Sequence, residues 1–189
     1  MNSFVRSFVA FALLAATGRV WATTVIEKDL AALAAEADQV FLGTVTSVHS
    51  DWADTGHREI ETVVTFGDLT PLFGVDTPTL SLRFSGGQVG DIIEHIPGMP
   101  QFAAGQRYVI FAQRSAAASS IAGFHQGCFR VSGAGSNATV EVRTYEQIGV
   151  AADGRSVVGD AASATTAVAL DAFLTDVRQR LGQREGAGQ

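Results

Sequence analysis

The chain has 189 residues, of which 47% are hydrophobic, and its 13 basic and 19 acidic side chains give a formal net charge of -6. This length suits one domain with a substantial hydrophobic core. The acidic balance argues against nucleic acid and anionic membrane as partners, because both bind basic patches. Cys128 is the only cysteine, so no intramolecular disulfide can form and packing must stabilise the fold.

Residues 1–22 have the pattern of a secretory signal peptide. Arg6 precedes an apolar run over residues 8–16, and Val20 and Ala22 are small residues at the two positions that signal peptidase reads. The apolar run is about half as long as the ~20 residues that a transmembrane helix needs. We therefore expect cleavage after Ala22, no membrane insertion afterwards, and export to the periplasm or the medium.

A short helix and a hairpin are predicted next. Asp29 is a good N-cap for a helix whose apolar residues Leu30, Leu33 and Ala34 share one face. Residues 39–49 change to a β-branched strand pattern. Residues 50–57 are rich in Asp, Ser, Thr and Gly, which predicts the turn of a hairpin.

Further strand patterns occupy residues 59–66, 79–84, 108–113, 124–131 and 139–144. The strand at 108–113 is apolar on both faces and is predicted to be central. About six strands separated by turn signals indicate a mainly β domain over residues 23–148, an antiparallel small barrel or sandwich that is OB-like.

The C-terminal part is predicted to contain a linker and a helix. Residues 149–165 are rich in Gly, Ala and Ser and predict a flexible linker. Residues 166–182 have apolar side chains at helical spacing and predict an amphipathic helix that packs on the domain, capped by Thr165 or Thr166 and ended by Gly182. We expect residues 183–189 to be disordered.

Residues 85–106 (SGGQVGDIIEHIPGMPQFAAGQ) are predicted to form one long loop. Glycine allows positive φ angles, and the two prolines stiffen a turn. Loops of this length are more often functional than short ones. The block has no lysine and no following helix pattern, which argues against a phosphate cradle. The candidate binding residues are therefore Gly86, Gly87, Gly90, Pro97, Gly98, Pro100 and Phe102.

Residues 30–131 contain four motifs in a characteristic order. They are Leu33-Ala34 with Ala37, Asp38, Val40, Gly43 and Val45; Gly86-Gly87; Pro97-Gly98 with Pro100, Phe102 and Gly105, followed by Val109 and Phe111; and Gln126-Gly127-Cys128-Phe129. In these motifs the chain resembles a family of uncharacterised exported bacterial proteins. The resemblance implies an OB-like or netrin-like β-barrel with flanking helices and brings no established activity. Netrin-like metalloprotease inhibitors use cysteines that this chain lacks.

Catalytic motifs are absent from the sequence. It has no Gly-x-Ser-x-Gly, Ser-x-x-Lys or His-Glu-x-x-His pattern, so we expect a non-catalytic protein without a cofactor. Cys128 is interpreted as a small buried hydrophobic residue. One metal site is conceivable, because His49 and Asp51 flank one end of the predicted turn and His57 the other.

Three hypotheses for function follow from these patterns. The first is an exported binding domain that contacts an extracellular or periplasmic protein or ligand through the long loop. The second is a metal-binding protein or metal-dependent hydrolase that uses His49, Asp51 and His57. The third is a structural component of an envelope or matrix, assembled through an exposed edge strand at residues 139–144.

Overall fold

The computed structural model describes residues 25–114 and 118–187, so the predicted signal peptide lies outside the described residues. Helix α1 (Leu30–Glu36) begins where the sequence predicts. The Asp29 carboxylate accepts a hydrogen bond from the Ala32 amide at 2.7 Å, which satisfies one of the free N–H groups at the helix start. Leu33 and Ala34 are buried.

Two antiparallel sheets contain about half of the described residues. The strands are β1 (Val25–Ile26), β2 (Gln39–Trp52), β3 (Ile60–Phe73), β4 (Leu80–Ser85), β5 (Gly87–Val89), β6 (Ile92–Glu94), β7 (Arg107–Ala112), β8 (Cys128–Ser132), β9 (Thr139–Val150) and β10 (Ser156–Ala169). Eight of them form one sheet in the order β1-β10-β9-β8-β7-β2-β3-β4, and β5 pairs with β6. The prediction of a mainly β, antiparallel protein with two helices is confirmed.

The described strands do not close into a barrel, because β1 and β4 are the two edges of the large sheet. The strand number also exceeds the expected six. The sequence analysis did not predict four of the strands, β1, β5, β6 and β10. The first three have only two or three residues each, and β10 lacks an apolar alternation. Short or exposed strands leave little hydrophobic pattern to detect.

Strand β2 is buried on both faces in its first half, and a separate core lies on each side of it. Val40 and Leu42 face the helices, whereas Phe41 and Val45 face the opposite side. Alternate side chains of a strand point to opposite faces of a sheet. We call the two clusters the helix-side core, which includes Phe111, Phe129, Phe173 and Val177, and the loop-side core, which includes Val64, Phe66, Phe84, Tyr108 and Ile110.

Helix α2 (Leu170–Ala187) covers the helix-side core, as expected, but its bounds differ from the predicted 166–182. It begins later because Thr165 and Thr166, predicted as caps, pair with Arg143 and Val142 of β9. It continues past Gly182 to Ala187, so the prediction of disorder is wrong for the described part of that segment. Glycine costs a helix interior only about 1 kcal/mol. None of the described helices is long and apolar enough to cross a bilayer.

Arg184 holds the end of α2 against α1. Its guanidinium donates hydrogen bonds to the carbonyl oxygens of Ala34 and Ala37 at 3.0 and 2.6 Å. It also lies 4.8 Å from the ring centre of Phe73. A cation at the carbonyl end of a helix is electrostatically favourable, so this contact opposes fraying of α2.

The prediction of a flexible linker over residues 149–165 is wrong. Strand β9 extends to Val150, and β10 starts at Ser156 and pairs with it. The small residues suggested a linker because an exposed strand needs few apolar side chains. Thr165, Thr166 and Ala167 of β10 are all exposed. The backbone ladder with β9 supplies the hydrogen bonds that a linker would lack.

Residues 139–144 are likewise not an edge strand. They belong to β9, which pairs with β8 on one side and β10 on the other. The hypothesis of a structural envelope or matrix component relied on an exposed edge strand at residues 139–144, and both edges of that strand are paired.

Arg184→Ala should lower the free energy of unfolding by about 2 kcal/mol, because two hydrogen bonds from a charged donor and a cation–π contact are lost. Urea unfolding measures the change. Arg178→Ala is the matched control, since Arg178 is an exposed arginine of the same helix, and it should change stability by less than about 0.5 kcal/mol. Equal effects of the two substitutions would contradict the role given to Arg184.

Candidate functional site

The segment predicted as one long loop contains a small hairpin and a proline turn. Strands β5 and β6 pair across residues 90 and 91, with Val89 opposite Ile92. Gly90 has φ +59° at this turn, which explains the glycine. The turn around Gly98 (φ +76°) follows, with a hydrogen bond from the Met99 amide to the Ile96 carbonyl at 3.1 Å.

Gly86 and Gly87 lie where the hairpin meets the large sheet, and neither position has room for a side chain. A Cβ on Gly86 would lie 2.7 Å from the Glu94 carbonyl oxygen, and one on Gly87 would lie 2.3 Å from Thr62 Oγ1. Both residues have positive φ angles, +88° and +141°. The double glycine is therefore a close-approach motif, and phosphate binding does not explain it.

Phe102 anchors the proline turn to the loop-side core. Its ring centre lies 5.8 Å from Phe66, 5.0 Å from Phe84 and 5.1 Å from Tyr108. The Tyr108 hydroxyl shares its single proton between Gln106 Oε1 at 2.5 Å and the Gln101 carbonyl at 3.2 Å. Residues 98–102, which we call the proline ridge, are thus held against the sheet by an aromatic cluster and by the contact of Gln101 with Tyr108.

A cleft of about 260 Å³ lies between the β5-β6 hairpin, the proline ridge and strands β2 and β3. We call it the loop cleft. Of the predicted binding residues, Gly86, Gly87, Pro100 and Phe102 line it. Gly90, Pro97 and Gly98 do not line it: Gly90 lies at the turn of the hairpin, and Pro97 and Gly98 lie at the proline turn.

The polar floor of the loop cleft was not predicted. Thr62 donates its hydroxyl proton to the Gly86 carbonyl at 2.6 Å, so Ser50 donates to Thr62 across 2.8 Å. The Glu94 carboxylate accepts a hydrogen bond from the Ile60 amide at 2.7 Å. These contacts tie the hairpin to the sheet.

The rim of the loop cleft is apolar and was also missed. Val48 of β2 and Ile93 of β6 line it with 42% and 69% of their surfaces exposed. The two-residue period of residues 48–52 predicts that Val48 and Ser50 share a face, but the sequence does not say that the hairpin lies over that face.

The three candidate metal ligands do not form a site together. His57 stacks on Trp52 with ring centres 5.0 Å apart. Strand alternation points Trp52 to the face of β2 opposite that of His49 and Asp51. Among the described residues, no group of three or more histidine, cysteine or acidic side chains is placed to hold a metal ion.

Cys128 is a buried residue of the loop-side core, as predicted. Burial raises the pKa of its thiol from 9.0 to about 12, because the thiolate is poorly solvated there. A reactive thiol needs the opposite shift.

Gly87→Ala should lower the free energy of unfolding by about 1 to 3 kcal/mol, since a methyl group would collide with Thr62 in a strained backbone conformation. Gly182→Ala is the control, because Gly182 lies in a helix with open space around it. It should be neutral or stabilising by up to about 1 kcal/mol. Urea unfolding compares the two, and an unchanged stability of Gly87→Ala would contradict the close approach.

Between about pH 9 and 12 the unfolded chain loses the Cys128 proton while the folded chain keeps it, so stability should fall as pH rises. Cys128→Ala should remove about 1 kcal/mol of the loss between pH 8 and pH 10. Urea unfolding at both pH values measures this. Parallel losses in the two proteins would contradict a buried thiol.

Comparison of the chain with protein-family models, with curated proteins and with solved structures finds no match. The resemblance to exported bacterial proteins therefore stays a prediction. The structural evidence on function comes from the geometry of the loop cleft.

Proposed function

We propose that the protein is an exported, non-catalytic binding domain whose loop cleft holds an extended segment of a partner polypeptide. The observation that supports this most is the apolar rim, where Ile93 is 69% exposed beside a preformed cleft. Large apolar side chains grouped on a surface are typical of contact sites. Ile93 and Val48 form this group at the rim, whereas the exposed Ile92 is not among the residues that line the cleft.

The kind of partner follows from the edge of the hairpin. β6 pairs with β5, and no other described strand pairs with its second edge. An unpaired edge can take up an extended peptide through main-chain hydrogen bonds, while a neighbouring pocket selects a side chain. At about 260 Å³ the cleft is small for a drug-sized molecule, whose sites usually start near 300 Å³. It suits one or two anchoring side chains.

The hydrogen bonding of the floor supports a binding role over a catalytic one. The hydroxyl of Ser50 is bonded to the hydroxyl of Thr62, which is itself bonded to a backbone carbonyl. A serine nucleophile needs a general base as its partner. Glu94 also lines the loop cleft, but its carboxylate accepts a hydrogen bond from the Ile60 amide.

The relation to OB-like or netrin-like domains is part of the same proposal. It is supported by the two-sided burial of β2 and by a loop that packs over one face of the sheet. Export is supported by the pattern of residues 1–22, and a binding role outside the cytoplasm is consistent with a single cysteine that is buried.

Selection of a random peptide library on the immobilised protein tests the site. Binding of the enriched peptides, measured by fluorescence polarisation, should weaken by about tenfold or more in Ile93→Asp, because a charge would replace the apolar rim. Val150→Asp is the matched control, since Val150 is 63% exposed and lies on β9, outside the cleft. It should leave binding unchanged.

Two results would overturn the proposal. One is a library that yields no specific peptide, and the other is a set of peptides that bind Ile93→Asp as tightly as the unmodified protein. Circular dichroism of both variants confirms that they are folded, which is expected because both side chains are exposed.

A further inference from the structure

A second cleft, of about 420 Å³, lies on the other side of the proline ridge. Met99, Pro100, Gln101 and Phe102 line both clefts, so the ridge separates them. The loop cleft has hydroxyls at its floor, whereas this one has two arginines, Arg130 and Arg143. We call it the arginine cleft.

The two arginines lie on β8 and β9, which are neighbouring strands of the large sheet. Tyr108 of β7 pairs with Arg130 of β8, and Val131 pairs with Val140 of β9. Arg130 and Arg143 line the cleft together with Tyr108, and the charge of Arg143 also acts on Cys128. Both guanidinium charges act on Tyr108, where they oppose the burial that raises its pKa to about 12.

One carboxylate, that of Glu141, lies near these arginines, and its charge also acts on Tyr108. Among the described side chains, neither Arg130 nor Arg143 forms a salt bridge, although five other pairs do. Glu141, next to Arg130 in the register, is bonded to the Ser132 hydroxyl at 3.4 Å. Arg143 is hydrogen-bonded to the Tyr145 side chain. Two like charges in one hollow of an acidic protein favour an anion between them.

Neutral donors complete the lining. Gln106 accepts the Tyr108 hydroxyl proton through Oε1 at 2.5 Å, which leaves its NH2 group to donate elsewhere. Gln106 lines the same cleft as the two guanidinium groups. The planar fork of a guanidinium matches two oxygens of a carboxylate or phosphate.

We propose that the arginine cleft binds the oxyanion group of a small ligand, a carboxylate or a phosphate, between Arg130 and Arg143. The site is distinct from the loop cleft and does not depend on the peptide proposal. The ridge that both clefts share is its outer wall.

Titration of the full chain with citrate and with inorganic phosphate tests this, by calorimetry and by the Nε–Hε signals of the arginines in NMR spectra. At low salt and millimolar probe, both arginine signals should shift, and higher salt should weaken binding. Arg130→Ala and Arg143→Ala should each weaken binding by about tenfold, whereas Arg130→Lys should weaken it less, since the charge remains without the fork.

Arg178→Ala is the control, because Arg178 is exposed on α2, outside the cleft, and it should bind as the unmodified protein does. Binding of citrate alone would assign the site to carboxylates, and binding of phosphate alone to phosphates. The proposal fails if neither probe shifts the arginine signals, or if the double variant Arg130→Ala/Arg143→Ala binds both probes unchanged. Peptide binding to the loop cleft is measured separately, so failure here is distinguishable from failure there.

Discussion

The two-sided burial of β2 is the constraint on which the rest of the structure depends. Val40 and Leu42 point to one face of the sheet and Phe41 and Val45 to the other, and all four are at least nine-tenths buried. Burial of apolar surface stabilises the folded state by about 25 cal/mol per Å² removed from water. A stable fold must therefore cover both faces of the strand. Helices α1 and α2 cover one face. Neither of the two described α-helices contributes to the core on the opposite face, where residues of β3 and β4, Ile121 and the proline ridge pack together.

The proline ridge therefore stabilises the fold in addition to forming a wall of each cleft. Phe102 inserts among Phe66, Phe84 and Tyr108 as part of the loop-side core. A ridge that crosses a sheet leaves a hollow on each side, and the two hollows differ because different strands floor them. One has the hydroxyls of Ser50 and Thr62, and the other has guanidinium groups. The chemistry of each cleft thus comes from the sheet, and the ridge supplies the walls.

Sequence patterns succeeded where a residue's role depends on its near neighbours. Asp29 was recognisable as an N-cap from the residues that follow it, and the apolar alternation of residues 79–84 located β4 within one residue. They failed where pairing with a distant strand decided the outcome. The residues of β10 have small side chains, and only their hydrogen bonds to β9 make them a strand. Thr165 and Thr166 are good helix caps by residue type. They belong to β10 instead, and α2 begins only at Leu170.

Local sequence patterns were enough to predict the mainly β composition, a C-terminal helix with one apolar face, the buried state of Cys128 and the importance of the segment that walls the clefts. Hydrophobic period and glycine or proline content are local properties, so they can be read without knowing the fold. Which side chains share a cleft depends on the folded chain. Ser50 and Thr62 meet through the pairing of β2 with β3, and Arg130 and Arg143 share a cleft because β8 and β9 are neighbours in the sheet. Alternation tells which residues of one strand face the same way, but pairing register and the element that covers a face depend on contacts between distant parts of the chain.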